Sequence, residues 1–154
     1  MVSMDEFIVL QDRIEIQETS IAYTFALDSR NWDLLKNIFT EDATAIYGSD
    51  EMGLKFSCSS RQEIIEMCQN SLNGCGPTQH LFSNFRINLN GNIASSVCYA
   101  QIGHVGKEPN QNEYWEIWAE YHDNWTKIDK GWRINDRKMI VTQEFGDREK
   151  VLGP

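Results

Sequence analysis

Apolar positions in the first part of the chain recur at helical spacing. Between residues 7 and about 27, Ile14, Ile21 and Phe25 fall on one stripe flanked by Leu10 and Ala22, and the polar run Asp28-Ser29-Arg30-Asn31 interrupts it. A shorter helical segment follows over residues 32–39, with Trp32, Leu35 and Phe39 at i, i+3 and i+7. Two short strands, over residues 43–47 and 54–58, precede a third helix. Ser60 is its expected N-cap, with Glu63 three residues on completing a capping-box pattern. Ile64, Ile65, Cys68 and Leu72 form its apolar face, and Asn73-Gly74 stops it.

After Pro77 the rhythm changes from helical to nearly two. Leu81, Phe85, Ile87 and Leu89 define a strand that ends at Asn90-Gly91-Asn92, a strong hairpin signal. Residues 93–105 return from it, and a looser loop through Glu108-Pro109-Asn110 leads to a long strand over residues 113–128. Asp129-Lys130-Gly131 forms a second turn before a last strand over residues 132–141. Helices first and long strands last predict an α+β fold in which three N-terminal helices pack on one curved antiparallel sheet. A twisted sheet closed on one side by helices leaves a cone with a pocket at its mouth. No linker, repeat or low-complexity tract divides the chain, so residues 1–154 read as a single domain.

Charge and composition narrow the partners. Lys and Arg number 14 against 23 Asp and Glu, a net charge of −9, which opposes a phosphate backbone and excludes general nucleic-acid binding. The basic residues are scattered and build no basic amphipathic stripe, and no apolar run approaches a membrane span, so a membrane partner is not expected. Residues 1–10 carry Asp5 and Glu6 where a signal peptide would be basic, which points to the cytoplasm. Cys58, Cys68, Cys75 and Cys98 include no CxxC or CxxH pair and read as reduced, buried small side chains rather than a metal site.

Three histidines, His80, His104 and His122, are the natural acid–base groups near neutral pH. His80 opens a strand near the presumed mouth, His104 lies beside Gly103 at a strand end, and His122 shares an outward face with Glu120 and Trp118. Asp28 ends an apolar helix, where the negative end of the helix dipole makes a carboxylate unfavourable. It is either turn chemistry neutralised by Arg30 or a group that enters the cone to fix a histidine's tautomer. Tyr23, five positions earlier, is either core filler or a pocket hydroxyl. Strict alternation puts His80 opposite Leu81, Phe85 and Ile87, so it reaches the pocket only through a bulge, with Ser83 a candidate position. Tyr114, Trp115, Trp118, Tyr121 and Trp125 share one strand and must divide between its two faces. Those facing outward suit a homo-oligomer, dimer or trimer, packed sheet to sheet.

The run from Tyr23 to Trp32, with Phe39-Thr40-Glu41-Asp42, resembles the opening of the SnoaL-like group of the nuclear-transport-factor-2-like superfamily. Thr78-Gln79-His80-Leu81-Phe82-Ser83-Asn84 and the closing Tyr121-His122-Asp123-Asn124-Trp125 resemble its later signatures, in the same order along nearly the whole chain. The resemblance implies a cone-shaped barrel with a deep apolar pocket. Among the group's lyases, such as scytalone dehydratase, bile-acid 7α-dehydratase and hexachlorocyclohexane dehydrochlorinase, a His–Asp pair transfers the proton. It maps that pair onto His80 and Asp28, and a pocket tyrosine onto Tyr23. Asn84, His104, Tyr121 and Trp115 complete the expected substrate-binding set. The implied activity is a lyase of dehydratase or dehydrohalogenase type, or an isomerase, acting without metal or organic cofactor on a hydrophobic cyclic small molecule. A polyketide cyclase-like enzyme and a non-catalytic binding or assembly module are the alternatives, because this fold serves all of them.

Overall fold

The computed structural model describes residues 3–152. Helix α1 (Met4–Asp28) begins in a full capping box, the Ser3 hydroxyl accepting from the Glu6 amide while the Glu6 carboxylate accepts from the Ser3 amide. A 3₁₀ segment (Trp32–Asn37), the strands β1 (Phe39–Ser49) and β2 (Leu54–Cys58), and helix α2 (Arg61–Asn73) follow. The long strands are β3 (Thr78–Asn90), β4 (Ile93–Val105), β5 (Tyr114–Ile128) and β6 (Gly131–Gly146), and α3 (Arg148–Leu152) closes the described chain. Ser60 caps α2 as expected, accepting from the Glu63 amide at 3.2 Å. The Glu63 carboxylate does not close the box. It reaches one residue further back, to the Ser59 amide at 2.7 Å.

The strands form one six-stranded curved, unclosed sheet in the order β2-β1-β6-β5-β4-β3. Every pairing is antiparallel except β1 with β6, which runs parallel. The α+β architecture with N-terminal helices against a curved sheet is therefore as expected, with that one parallel pairing added. The second helical segment is a 3₁₀ turn, and Phe39 opens β1 instead of ending a helix. Helix α3 and the extension of β6 to Gly146 lie beyond the predicted elements. Among the described residues, no helix is long and apolar enough to cross a membrane.

The core fills the concave side of the sheet with Phe39, Ile64, Trp125, Trp132 and Ile134. Helix α1 meets it with Ile16, Tyr23 and Leu27, which is not the face its apolar periodicity suggested. Ile14 and Phe25 of the predicted stripe, together with Leu10, are exposed on the opposite side. Polar anchors hold the inner face. Asp12 accepts from the Trp132 indole at 3.0 Å and from Lys127 at 2.7 Å, and Glu15 accepts from the Trp132 amide at 2.9 Å. All four cysteines are buried free thiols.

Two irregularities aim the site's side chains. The β3–β4 register shifts between Ser83 and Arg86, where Asn84 adopts a left-handed backbone (φ 57°). Before this bulge His80 faces inward and Leu81 outward; after it Ile87 faces inward. The β5–β6 register shifts between Asn124 and Trp125. On β6, Ile134 and Arg137 are consequently both buried although three residues apart.

Candidate active site

Asp28 is the last residue of α1, and Arg30 turns the chain with a left-handed backbone (φ 57°). The Arg30 guanidinium donates to the carbonyls of Leu27 and Gly76, tying the helix end to the segment that enters β3. It also donates to the Thr78 hydroxyl at 2.8 Å, which in turn donates to Asp28 Oδ1 at 2.9 Å. Arg30 thus supports the carboxylate through Thr78 rather than pairing with it.

His80 completes the carboxylate's shell. Its amide donates to Asp28 Oδ2 at 2.9 Å, and its Nδ1 lies 2.6 Å from Oδ1. Burial raises the Asp28 carboxyl pKa, but the hydrogen bonds from the His80 ring, the His80 amide and Thr78 outweigh it and hold the group below its usual range. An ionised carboxylate accepts only, so the proton of the neutral ring is on Nδ1 and Nε2 carries the lone pair.

His104 lies on the neighbouring strand β4, its ring centroid 5.9 Å from that of His80. Its Nδ1 donates to the Trp115 carbonyl at 3.1 Å while the ring stacks on the Trp115 indole at 4.4 Å. Burial, and then the proximity of His80, lower its pKa to about 4, so the ring is neutral at pH 7 with Nε2 as an acceptor.

The deeper part of the cavity is phenolic. The hydroxyls of Tyr23 and Tyr47 are 3.2 Å apart, and Tyr121 packs edge-on against both rings. Burial raises all three phenol pKa values well above the ordinary one, so each is a neutral donor at physiological pH. It also pushes the Cys68 thiol up to about 12. Behind them Arg137 is clamped by Asp123 through two bonds of 2.7 and 2.8 Å, its guanidinium 4.2 Å from the Tyr23 ring centroid and 4.8 Å from that of Tyr121. Its Nη1 is buried with no hydrogen-bond partner among the described residues. The cation opposes the rise of the tyrosine pKa values without reversing it.

The three phenols, Cys68, the two histidines and Trp115 line one cavity of ≈ 90 Å³. Apart from the two histidines, the phenols and Ser71 the wall is apolar, including Met52, Met67, Met139, Phe56 and Leu152. That lining suits an apolar organic ligand, and methionine walls adapt to shape.

Tyr23, His80, His104, Trp115 and Tyr121 all line this cavity, with Asp28 behind His80. Asn84 does not join them. It is exposed at the β3 bulge and shapes the strand instead of binding in the pocket. His122 is half-buried on the outer face, as expected, within 2.9 Å of Glu120. Sequence reasoning missed Tyr47, Arg137 and Asp123. Asp123 was within reach, since period two places it inward between Tyr121 and Trp125, and a buried carboxylate needs a cation. Arg137 was hidden by the register shift.

A family model described as SnoaL-like domain matches residues 9–138. An uncharacterized protein of Mycobacterium tuberculosis is 30% identical over 128 residues, which span 81% of this chain and 82% of that protein. Among solved structures, a hexachlorocyclohexane dehydrochlorinase (LinA) type 2 superposes with TM-score 0.78 at 17% identity, covering 94% of this chain and 95% of its own. A nuclear transport factor 2-like superfamily protein from Salmonella enterica gives 0.73 at 17% identity, covering 85% and 91%.

Proposed function

We propose that this chain, which belongs to the SnoaL-like domain family, is a lyase of dehydratase or dehydrohalogenase type, or an isomerase, that removes a carbon-bound proton without metal or organic cofactor. The observation that carries this reading is the 2.6 Å contact between Asp28 and His80 Nδ1 beside an apolar cavity, because it leaves Nε2 as a base. Nε2 takes a proton from a carbon next to an activating group. The C–H electron pair forms a new double bond, and either a leaving group departs with its own pair or a proton returns at another carbon. Asp28 stabilises the imidazolium meanwhile, and it stays ionised because its hydrogen bonds favour the charged form. The neutral phenols of Tyr23 and Tyr47 donate to the oxygen or leaving group that gains charge. His104, neutral, orients a substrate hydroxyl through Nε2. Trp115 and Tyr121 hold the ring of a hydrophobic cyclic substrate.

Self-association, as a dimer or trimer packed sheet to sheet, belongs to the same reading. Its support is the outward exposure of Leu81, Tyr99 and Trp118.

The test is turnover of hexachlorocyclohexane, read as chloride release, and of cyclic β-hydroxy ketones, read as enone absorbance. His80→Ala should cost on the order of 10²–10⁴ in kcat. Asp28→Asn should lower kcat with a smaller change in substrate affinity, since its role is to orient and stabilise the base. Undiminished turnover in His80→Ala would remove the mechanism. Binding with no turnover by the unmodified protein would leave a binding module.

A further inference from the structure

Helix α1 packs on the sheet with one face and leaves a second apolar face in solvent. Ile16, Tyr23 and Leu27 point inward, whereas Met4, Phe7, Leu10, Ile14 and Phe25 are between 53% and 72% exposed. Positions 4, 7, 11, 14, 18, 21 and 25 alternate steps of three and four through three heptads, the spacing of a helix–helix seam. At 3.6 residues per turn, all seven lie within about 60° of Phe7, on the side away from the core. Five of the seven are apolar, and Gln11 and Glu18 are the exceptions.

We infer that this face is a self-association surface, on which α1 of one copy packs antiparallel against α1 of a second copy about a twofold axis near Ile14. The sequence of the seam is self-complementary in that arrangement. Ile14 meets its own counterpart, Phe7 faces Ile21 and Met4 faces Phe25. The two polar positions face each other, so the Gln11 carboxamide donates to the Glu18 carboxylate on both sides of the axis. A parallel pair would instead set Glu18 against Glu18, a like-charge contact. The exposed side chains supply roughly 600 Å² of apolar surface per copy, close to the ~800 Å² per partner of an ordinary stable interface. That is the upper end of the largest apolar patch a monomer ordinarily exposes, and such patches are often functional. The outer sheet face is a separate surface. There Leu81, Tyr99 and Trp118 are interleaved with Gln101, Glu116, Glu120 and His122, which already hydrogen-bond within the chain. Glu18 within the α1 seam and Glu6 at its flank disfavour an anionic membrane as its occupant.

Light-scattering mass measurement and disulfide trapping test the inference. The unmodified protein should run as a dimer or a multiple of one. Ile14→Glu and Phe25→Glu should each halve the mass while far-UV circular dichroism shows the fold retained, since both positions are exposed in the single chain. Ile14→Cys should give a symmetric disulfide-linked dimer under mild oxidation, the four native cysteines being buried. Gln11→Lys should tighten association roughly fivefold by pairing with Glu18 across the axis, and Gln11→Glu should weaken it. A monomeric native protein, or a mass unchanged by both glutamate variants, overturns the inference. So does assembly that only Trp118→Glu disrupts, or capture of anionic vesicles by a monomer. Equal association of the two Gln11 variants overturns the antiparallel pairing.

Discussion

His104 is the residue whose surroundings make the clearest pH statement. Its Nδ1 proton is committed to the Trp115 carbonyl, its ring is stacked and buried, and protonation would place a cation 5.9 Å from the ring assigned to receive the substrate proton. The native pKa of about 4 lies below the unfolded value near 6.5. Between those values the unfolded chain binds a proton that the folded chain refuses, so stability rises with pH. The full benefit is present above about pH 6.5 and is lost as pH falls toward 4, amounting to roughly 3 kcal/mol. Asp28, with its lowered pKa, adds a loss of the same sign only at lower pH. Urea denaturation at a series of pH values should therefore show a slope in this window that His104→Gln flattens by up to about 1.4 kcal/mol per pH unit. Equal slopes in the two proteins would mean that the native ring titrates normally.

At the scale of elements, the β3 bulge decides which side of the sheet His80 occupies. Side chains alternate along a strand, so one inserted residue exchanges the faces beyond it. Asn84 absorbs the insertion at φ 57°, where a short polar side chain or glycine is tolerated and a β-branched one is not. Asn84→Gly should retain stability and His80 geometry. Asn84→Val should cost about 1–2 kcal/mol and disturb the low-field proton resonance expected of a short His80–Asp28 bond. A valine variant with unchanged stability and resonance would move the bulge's control elsewhere. The same bulge shows what the sequence could disclose. The cap of α2, the turn at Gly91 and the turn at Gly131 were legible, because caps and turns are written in adjacent residues. The need for a bulge near Ser83 was legible from the clash between His80 and the strand's alternation. The inward face of α1 was not, because the anchors of Asp12 and Glu15 lie on Lys127 and Trp132, more than a hundred residues away. The parallel β1–β6 pairing and the placement of Arg137 likewise depend on distant partners. In the site, His80, Asp28 and Tyr23 were legible as a motif; Tyr47, on β1, had no local mark.

Across the whole molecule, the cavity is bounded by residues far apart in the described chain, and one network joins two of its walls. Leu152 of α3 and Met52 of the β1–β2 connection both line the cavity. Arg148 spans them, donating to the Met52 carbonyl and to Glu144 at 3.1 Å each, while Glu144 also accepts from the Trp115 indole at 3.0 Å. The indole that stacks on His104 is therefore coupled through one carboxylate to the β1–β2 connection, whose Met52 lines the cavity. Arg148 is partly exposed, so its ion pair adds less than about 1 kcal/mol to stability. Its larger effect belongs to access. Arg148→Ala should leave the thermal midpoint within a few degrees yet free the α3 end from the β1–β2 connection. An amphiphilic fluorescent probe should then associate and dissociate faster, with a smaller change in equilibrium affinity because the apolar wall is intact. Stopped-flow mixing with 8-anilinonaphthalene-1-sulfonate reads both rates. Rates equal to those of the unmodified protein would place the entrance away from α3 and reduce Arg148 to a surface contact, whereas parallel acceleration of both makes the rim the step that admits and releases the ligand.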